Sequence, residues 1–524
     1  MVPSATVHMV LVWILGGFLA YWVLVTVLDS RGVLERYNAS AAGPLIMFRT
    51  VRGRDLLDRL ASPKRFWRAY ANVGVAIAGL VMVASFVLLL RIAHLSIFQT
   101  PEPSQITEPQ NVLVIPGVND FLPLSVAPEI LAGLLIGIVV HEFGHGILCR
   151  VGDIRVDSMG AVMLAVLPFG AFVEPDEEEV GEASSAERTR MFAAGVTNNF
   201  VLTVVAFVLI ALSLSAVQPL DGVGVQNVAD GSLADGVVEQ GDRVVAVDGN
   251  EVGSTDAFFG ALGGSAGEEV VLTVASPDGA TREERLETGA PGVEISTVQS
   301  DSAAEAAGLQ EGDMITSVDG EEVTNAQAFV SVMGELSPGD EVGIEVLRDG
   351  ETVSVGTTLG ESPRGEGAFL GVGYLTNAQR VGVTPYDIGT PYSLLTSLNP
   401  VDWVLAIYLP LGAAVGVSPF FGFDGFILSF YELAGPASAL GGAFWVVPNV
   451  LYWTAWVNFN LGLFNCIPAL PLDGGHILKE GLRKAVSPVT SGEATDRLAD
   501  SLTIAVAVAM FGSMVLMIVA PRLL

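Results

Sequence analysis

The segment VVHEFGHGILC places His141, Glu142 and His145 in an HExxH arrangement within an apolar stretch. On an α-helix, residues four apart lie on one face with neighbouring side chains, so both imidazoles can reach one zinc ion. Glu142 is turned about 100° away from His141 and can reach a water beside the metal. Zinc lowers the pKa of that water towards about 7, and the carboxylate takes its proton. The chemistry expected is hydrolysis with Glu142 as general base. Three ionisable groups in one apolar helix are costly unless paired or metal-bound, which marks them as functional.

Two histidines do not complete such a site, which takes three protein ligands and keeps a fourth position for water. Just downstream, VGDIRVDSMGAV leads into more membrane-type sequence. The better candidate is remote. The stretch NFNLGLFNCIPALPLDGGHILKEGL holds Asp473 in an LDG turn flanked by Pro468, Pro471, Gly474 and Gly475. Prolines and glycines at the end of an apolar span unwind it and let a carboxylate turn back into the interior. There it would offset part of the charge of the single Zn2+ expected per chain. His476 follows at once, but as a fourth protein ligand it would close the position that water needs, so it is read as supporting the site. Cys149 and Cys466 have no CxxC spacing and read as small buried apolar side chains.

The scaffold for these residues is a membrane one. Of 524 residues, 51% are hydrophobic and 16% charged, with a mean hydropathy of +0.55. Apolar windows fall at 7–28, 70–92, 129–150, 192–215, 441–466 and 500–520. The first lacks the basic flank of a cleavable signal and reads as a retained helix. Arg31, Arg36, Arg49, Arg52, Arg54, Arg59, Lys64, Arg65 and Arg68 lie between the first two windows, and the positive-inside rule puts them in the cytoplasm. The N-terminus and residues 94–128 are then outside, the third span runs inward to Cys149 and Arg150, and the fourth returns outward. The net charge of −32 belongs to the water-facing parts and disfavours nucleic acid, so no nucleic-acid partner is expected. With only Lys64, Lys479 and Lys484 as lysines, this acidic surface is the kind found in proteins of high-salt environments, and a halophile is the expected source. The run Glu174–Glu179 reads as a solvated cytoplasmic loop.

Residues 216–365 change character to short Val-rich strands punctuated by Gly, Asp and Glu, and fall on the outer side. They also repeat: GDRVVAVDGNEV from Gly241 and GDMITSVDGEEV from Gly312 align at an offset of 71 residues, as do Phe258 and Phe329. The order of Gly-Asp turn, apolar strand, Asp-Gly turn and helix resembles the bacterial type of PDZ domain. Residues 366–436 are harder to read. An apolar run from Trp403 to Val417 is interrupted by Pro410, and the parity of crossings calls for a broken, re-entrant or hairpin element.

HExxH in one span and Asn465, Pro468, Pro471, Leu472, Asp473, Gly474 and Gly475 in a later one together resemble the site-2 protease family of intramembrane metalloproteases. RMFAAGVTNNF from Arg190 is similar to the family's AGPxxN segment, with Val196 where proline is usual. The resemblance implies a polytopic α-helical membrane protein with an extracytoplasmic α+β insert of two PDZ-like domains. The divisions expected are 1–93, an N-terminal transmembrane pair with a basic loop; 94–215, the catalytic membrane half; 216–290 and 291–365, the PDZ-like domains; and 366–524, the C-terminal membrane half. It implies His141, His145 and Asp473 as zinc ligands, Glu142 as base, and Asn199 and Asn465 as contacts to an extended substrate, with helix–helix hydrogen bonding as the alternative for both asparagines. It also implies a re-entrant β element at MLAVLPFGAFVEP, whose edge could pair with an unwound substrate; an ordinary buried loop is the alternative. The activity implied is regulated intramembrane proteolysis of single-span membrane proteins already shortened outside by another protease. The site would lie near the cytoplasmic side of the cell membrane, with peptide termini as possible ligands of the PDZ-like domains. A membrane scaffold with a vestigial metal site and an ion transporter are the competing readings; the intact Glu142 and the repeated insert weigh against them.

Overall fold

The structure is a computed structural model that describes residues 4–98, 111, 115–119, 121–165, 167–264, 269–362, 367–375, 380–415 and 419–523. Most of the expected outer loop before Leu124 lies outside these residues. The chain forms two compact units, one of residues 1–212, 398–415 and 446–524, the other of residues 213–397 and 416–445.

In the first unit all six apolar windows are helical: Ser4–Ser30, Lys64–Phe98, Ala127–Val151, Ser185–Leu214, Val446–Asn465 and Glu493–Leu523. Four of these regions, Lys64–Phe98, Leu124–Val151, Ser185–Leu214 and Glu493–Val519, are long and apolar enough to cross a membrane. Lipid supplies no hydrophobic drive between helices, so small residues decide where they meet. Gly133 and Gly137 of the HExxH helix (Ala127–Val151) give room to the helix Val446–Asn465. A Cβ at Gly133 would lie 2.9 Å from the Thr454 Cα, and one at Gly137 2.9 Å from the Asn458 Nδ2.

The expected β element is present and larger than anticipated. Strands β1 (Ala39–Ala42), β2 (Leu45–Thr50), β3 (Val156–Leu164) and β4 (Leu167–Pro175) form one antiparallel sheet in that order. Half of it comes from the basic segment, whose short strands are hidden among charges. Arg49 reaches across to Glu174 at 3.3 Å, and the Ala165 N–H at the hairpin tip donates to the Tyr21 hydroxyl at 2.8 Å. The acidic run is not simply a loop. Glu174 lies within β4, and Asp176 caps the short helix Glu177–Glu182 by accepting from the Glu179 N–H.

The second unit holds two five-strand sheets, each extended by a short hairpin strand. In the first the order is Thr281–Glu287, Glu269–Ala275, Arg243–Val247, Val223–Val228 and Val383–Tyr386. In the second it is Glu351–Thr358, Glu341–Arg348, Met314–Val318, Val293–Val298 and Val372–Leu375. Phe258 and Phe329, from the helices Thr255–Gly264 and Ala326–Glu335, are buried in the respective cores. Each Asp-Gly turn has positive φ at both residues, 48° and 76° at Asp248-Gly249 and 51° and 79° at Asp319-Gly320, the geometry of a two-residue hairpin turn. Asp242 and Asp313, equivalent in the repeat, are buried, and each accepts from an arginine at 2.6 Å, Arg282 and Arg348 respectively.

The expected domain boundaries need correction. The strands that complete the two sheets lie beyond residue 365, so the second PDZ-like domain is inserted within the first, and the C-terminal membrane half does not begin at 366. The two closing strands follow one another directly and fall outside the 71-residue repeat, which is why the repeat did not reveal them. Further on, the apolar element at Pro400–Gly412 is short, in keeping with the broken element expected there.

Candidate metal centre

The site is built on three helices of the membrane unit: the HExxH helix, the middle helix Ser185–Leu214 and the LDG helix Asp473–Val486. Asp473 is the first residue of its helix and is 8% exposed. It can turn inward because the two glycines after it press on the preceding loop. A Cβ at Gly474 would lie 2.5 Å from the Cys466 carbonyl, and one at Gly475 2.5 Å from the Ala469 carbonyl carbon. Cys149 and Cys466 are free and buried, as expected.

His141 Nε2, His145 Nε2 and Asp473 Oδ2 converge. The two ring nitrogens are 3.1 Å apart, and the carboxylate oxygen lies 3.2 Å from the first and 3.5 Å from the second. Two ligands about 2.0–2.1 Å from a tetrahedral zinc ion are separated by about 3.3 Å, so this triangle has the dimensions of a zinc face. Asp473 Oδ2 is buried without a conventional hydrogen-bond donor. An anionic oxygen facing two imidazole nitrogens is the donor set that a divalent cation satisfies. Among the described residues these three are the group that could hold a metal.

The middle helix holds both rings from behind. His145 Nδ1 lies 2.8 Å from the Met191 carbonyl, which takes the Nδ1 proton and leaves Nε2 free to face the centre. Asn199 is wholly buried, with its amide 3.0 Å from His141 Nδ1. This corrects the expectation for Asn199, because none of its surface is open to a substrate. Its neighbour Asn198 donates to the Val140 carbonyl at 2.8 Å and accepts from the Tyr70 hydroxyl at 2.6 Å, tying the second span to the HExxH helix. Gly195 permits this approach, for a Cβ there would lie 2.6 Å from the Nε2 atoms of both histidines. The motif resemblance marked this segment, but the roles of Met191, Gly195 and Asn198 depend on the helix packing.

Glu142, next to the ligand His141, meets the sheet, where its Oε2 accepts from the Val173 N–H of β4 at 3.0 Å. Asn465 is half-buried and donates to the Leu461 carbonyl one turn back in its own helix. His476 stacks on Phe192, their ring centroids 4.3 Å apart, and is not part of the ligand triangle.

Three candidate metal ligands among helices long and apolar enough to cross a membrane, with a β-rich insert between the two halves of the site in the sequence, are the arrangement an intramembrane metalloprotease requires. The chain matches the family described as Peptidase family M50 over residues 129–510 and belongs to that family. It is a zinc endopeptidase of the site-2 type, carrying out regulated intramembrane proteolysis on membrane-protein substrates. The scaffold and transporter readings are thereby set aside. The chain is 26% identical to the regulator of sigma-E protease RseP of Escherichia coli over 433 residues, 69% of this chain and 90% of the relative. It is 31% identical to the zinc metalloprotease RasP of Shouchella clausii over 199 residues, 36% of this chain and 44% of the relative. The PDZ domain of an SdrC-like protein of Listeria innocua, a solved structure, aligns at 26% identity with 16% of this chain and 92% of its own, with a TM-score of 0.15.

Proposed function

We propose that His141, His145 and Asp473 hold the zinc ion and that Glu142 is the general base for hydrolysis of a peptide bond in a single-span membrane protein. The observation that carries this reading is the convergence of three ligand atoms on one buried point, reached from positions more than three hundred residues apart. Zinc, when bound, supplies a Lewis acid that brings the pKa of water towards about 7. The chain's own residues do the rest. Glu142 receives the proton and passes it to the leaving amine. Its hydrogen bond to the Val173 N–H sets it beside β4, an edge strand of the four-stranded sheet. A substrate strand pairing along that edge would present its peptide bond to the base, which an intact helix would shield.

Asn199 acts on His141. A half-turn of its near-isosteric amide brings Oδ1, otherwise without a partner, onto the Nδ1 proton and leaves Nε2 free for the metal. Asn465, near the LDG turn, remains the candidate for binding substrate backbone. The basic segment around Arg49–Arg68 supports a cytoplasmic placement of the sheet and of the nearby site, which lies towards the Arg150 end of the HExxH helix. Counting crossings from that segment supports a position of the PDZ-like insert outside the cytoplasm, where it could admit substrates shortened by another protease and take their new termini.

Glu142→Gln tests the base. Zinc content should stay at one per chain while cleavage of a model single-span substrate disappears. Undiminished cleavage by this variant would refute the assignment.

A further inference from the structure

The membrane unit contains a buried charge pair that none of the roles above explains. Arg188 and Glu480 have side chains 11% and 8% exposed, and they meet through two parallel bonds, Nε to Oε1 at 2.8 Å and Nη2 to Oε2 at 3.0 Å. The remaining nitrogen, Nη1, donates to the Ala183 carbonyl at 2.7 Å and the Gly181 carbonyl at 3.2 Å. One guanidinium thus joins the chain leaving the sheet, the middle helix and the LDG helix.

The placement of the pair relative to the metal site follows from helical periodicity. On the middle helix Arg188, Met191, Gly195 and Asn199 succeed one another by three or four residues and share a face, the one that holds the imidazoles. On the LDG helix Asp473, Ile477 and Glu480 do the same, with Glu480 two turns, about 10 Å, beyond Asp473. Gly195 also lies seven residues from Arg188. The two helices therefore run antiparallel, touching the ligand triangle at one end and clasped by the ion pair two turns away. A buried ion pair adds little stability over a well-packed apolar pair, whereas a two-pronged Arg–carboxylate contact fixes angle and register.

Resting on the zinc-protease reading, we propose that Arg188 and Glu480 are positioning residues that set the register of the LDG helix and so keep the Asp473 carboxylate in the ligand triangle. Neither touches the metal or the substrate. The pair acts through the rigid two turns between Glu480 and Asp473.

The test uses the full-length protein in detergent, comparing wild type with Glu480→Gln, Arg188→Lys and the double variant Arg188→Met/Glu480→Leu, which fills the same space without charge. The readouts are zinc transfer to a chelator, the absorption spectrum of the cobalt-substituted protein and thermal unfolding. Loss of a group that orients a ligand weakens metal binding by about tenfold or more. The expected result is a zinc affinity lowered about tenfold in all three variants, a cobalt spectrum shifted towards that of Asp473→Asn, and kcat reduced with KM unchanged. The double variant should show this even where its unfolding temperature matches wild type, which separates positioning from stability. Wild-type zinc affinity and cobalt spectrum in the double variant and in Glu480→Gln would overturn the proposal. A wild-type chain without stoichiometric zinc would instead overturn the metal-centre reading, and the clasp with it.

Discussion

Gly195→Ala places a single methyl group at the centre of the proposed metal site. A Cβ at this position would lie 2.6 Å from the Nε2 atoms of His141 and His145, and ordinary contact begins at 3.4 Å. Both rings must therefore retreat by about 0.8 Å. Zinc–nitrogen bonds of about 2.0–2.1 Å tolerate only about 0.2 Å of displacement, so the retreat is about four times what the ligand set can absorb. A misplacement of this size at a catalytic group costs about a hundredfold in rate, equivalent to about 2.7 kcal/mol. Folding should not suffer, because alanine favours a helix interior over glycine by up to about 1 kcal/mol. Elemental analysis of the purified full chain should show well under one zinc per chain, with cleavage of a single-span substrate down by about a hundredfold. Gly79→Ala, where a Cβ meets nothing within 4 Å, is the control and should behave as wild type. Full zinc occupancy and full activity in Gly195→Ala would mean that the imidazoles do not face the middle helix as described.

Asn199→Ala should lower zinc affinity about tenfold to a hundredfold by freeing His141 Nδ1, with KM unchanged; a raised KM at wild-type zinc affinity would return Asn199 to the substrate contacts. In the second PDZ-like domain, Arg348 beside Asp313 holds that carboxyl below the usual carboxylate range. The stabilisation from ionised Asp313 is therefore complete above the ordinary carboxylate pKa of about 3.9 and fades as pH falls through the lower native value. Asp313→Asn should cost this domain about 2 kcal/mol at pH 7, and the gap to wild type should close in acid. Hydrogen exchange of the domain's amides in the full chain would read both, and a gap independent of pH would refute the assignment.

Much of the site was legible because its signals are local. HExxH specifies its own geometry once the helix forms, and the Pro-Gly-rich LDG turn announces a break in an apolar span. The Asp-Gly turns and the paired phenylalanines of the insert were equally plain. Less was visible where a strand finds its partner far away. The short segments at Ala39–Thr50 carry no strong alternation, and only pairing with β3 explains them as strands. Val372–Leu375 and Val383–Tyr386 lie side by side in sequence yet enter different sheets. A polar residue in lipid demands a partner; the family resemblance suggested a substrate for Asn199, with helix–helix hydrogen bonding as the alternative, and the sequence could not show that the partner is a ligand ring.

By itself the sequence determined the membrane architecture and the repeated insert, and it offered His141, Glu142, His145 and the remote Asp473 as candidates for the site. Each is written along one stretch of chain, as an apolar run, a helical spacing, a Pro-Gly-rich turn or a repeat of 71 residues. Only the tertiary structure decided that Asp473 meets the imidazoles, that Met191 and Asn199 stand behind them and that the PDZ-like domains are nested. These depend on how closely helices and strands approach, and that distance is set by which glycines face which neighbours once the elements have packed.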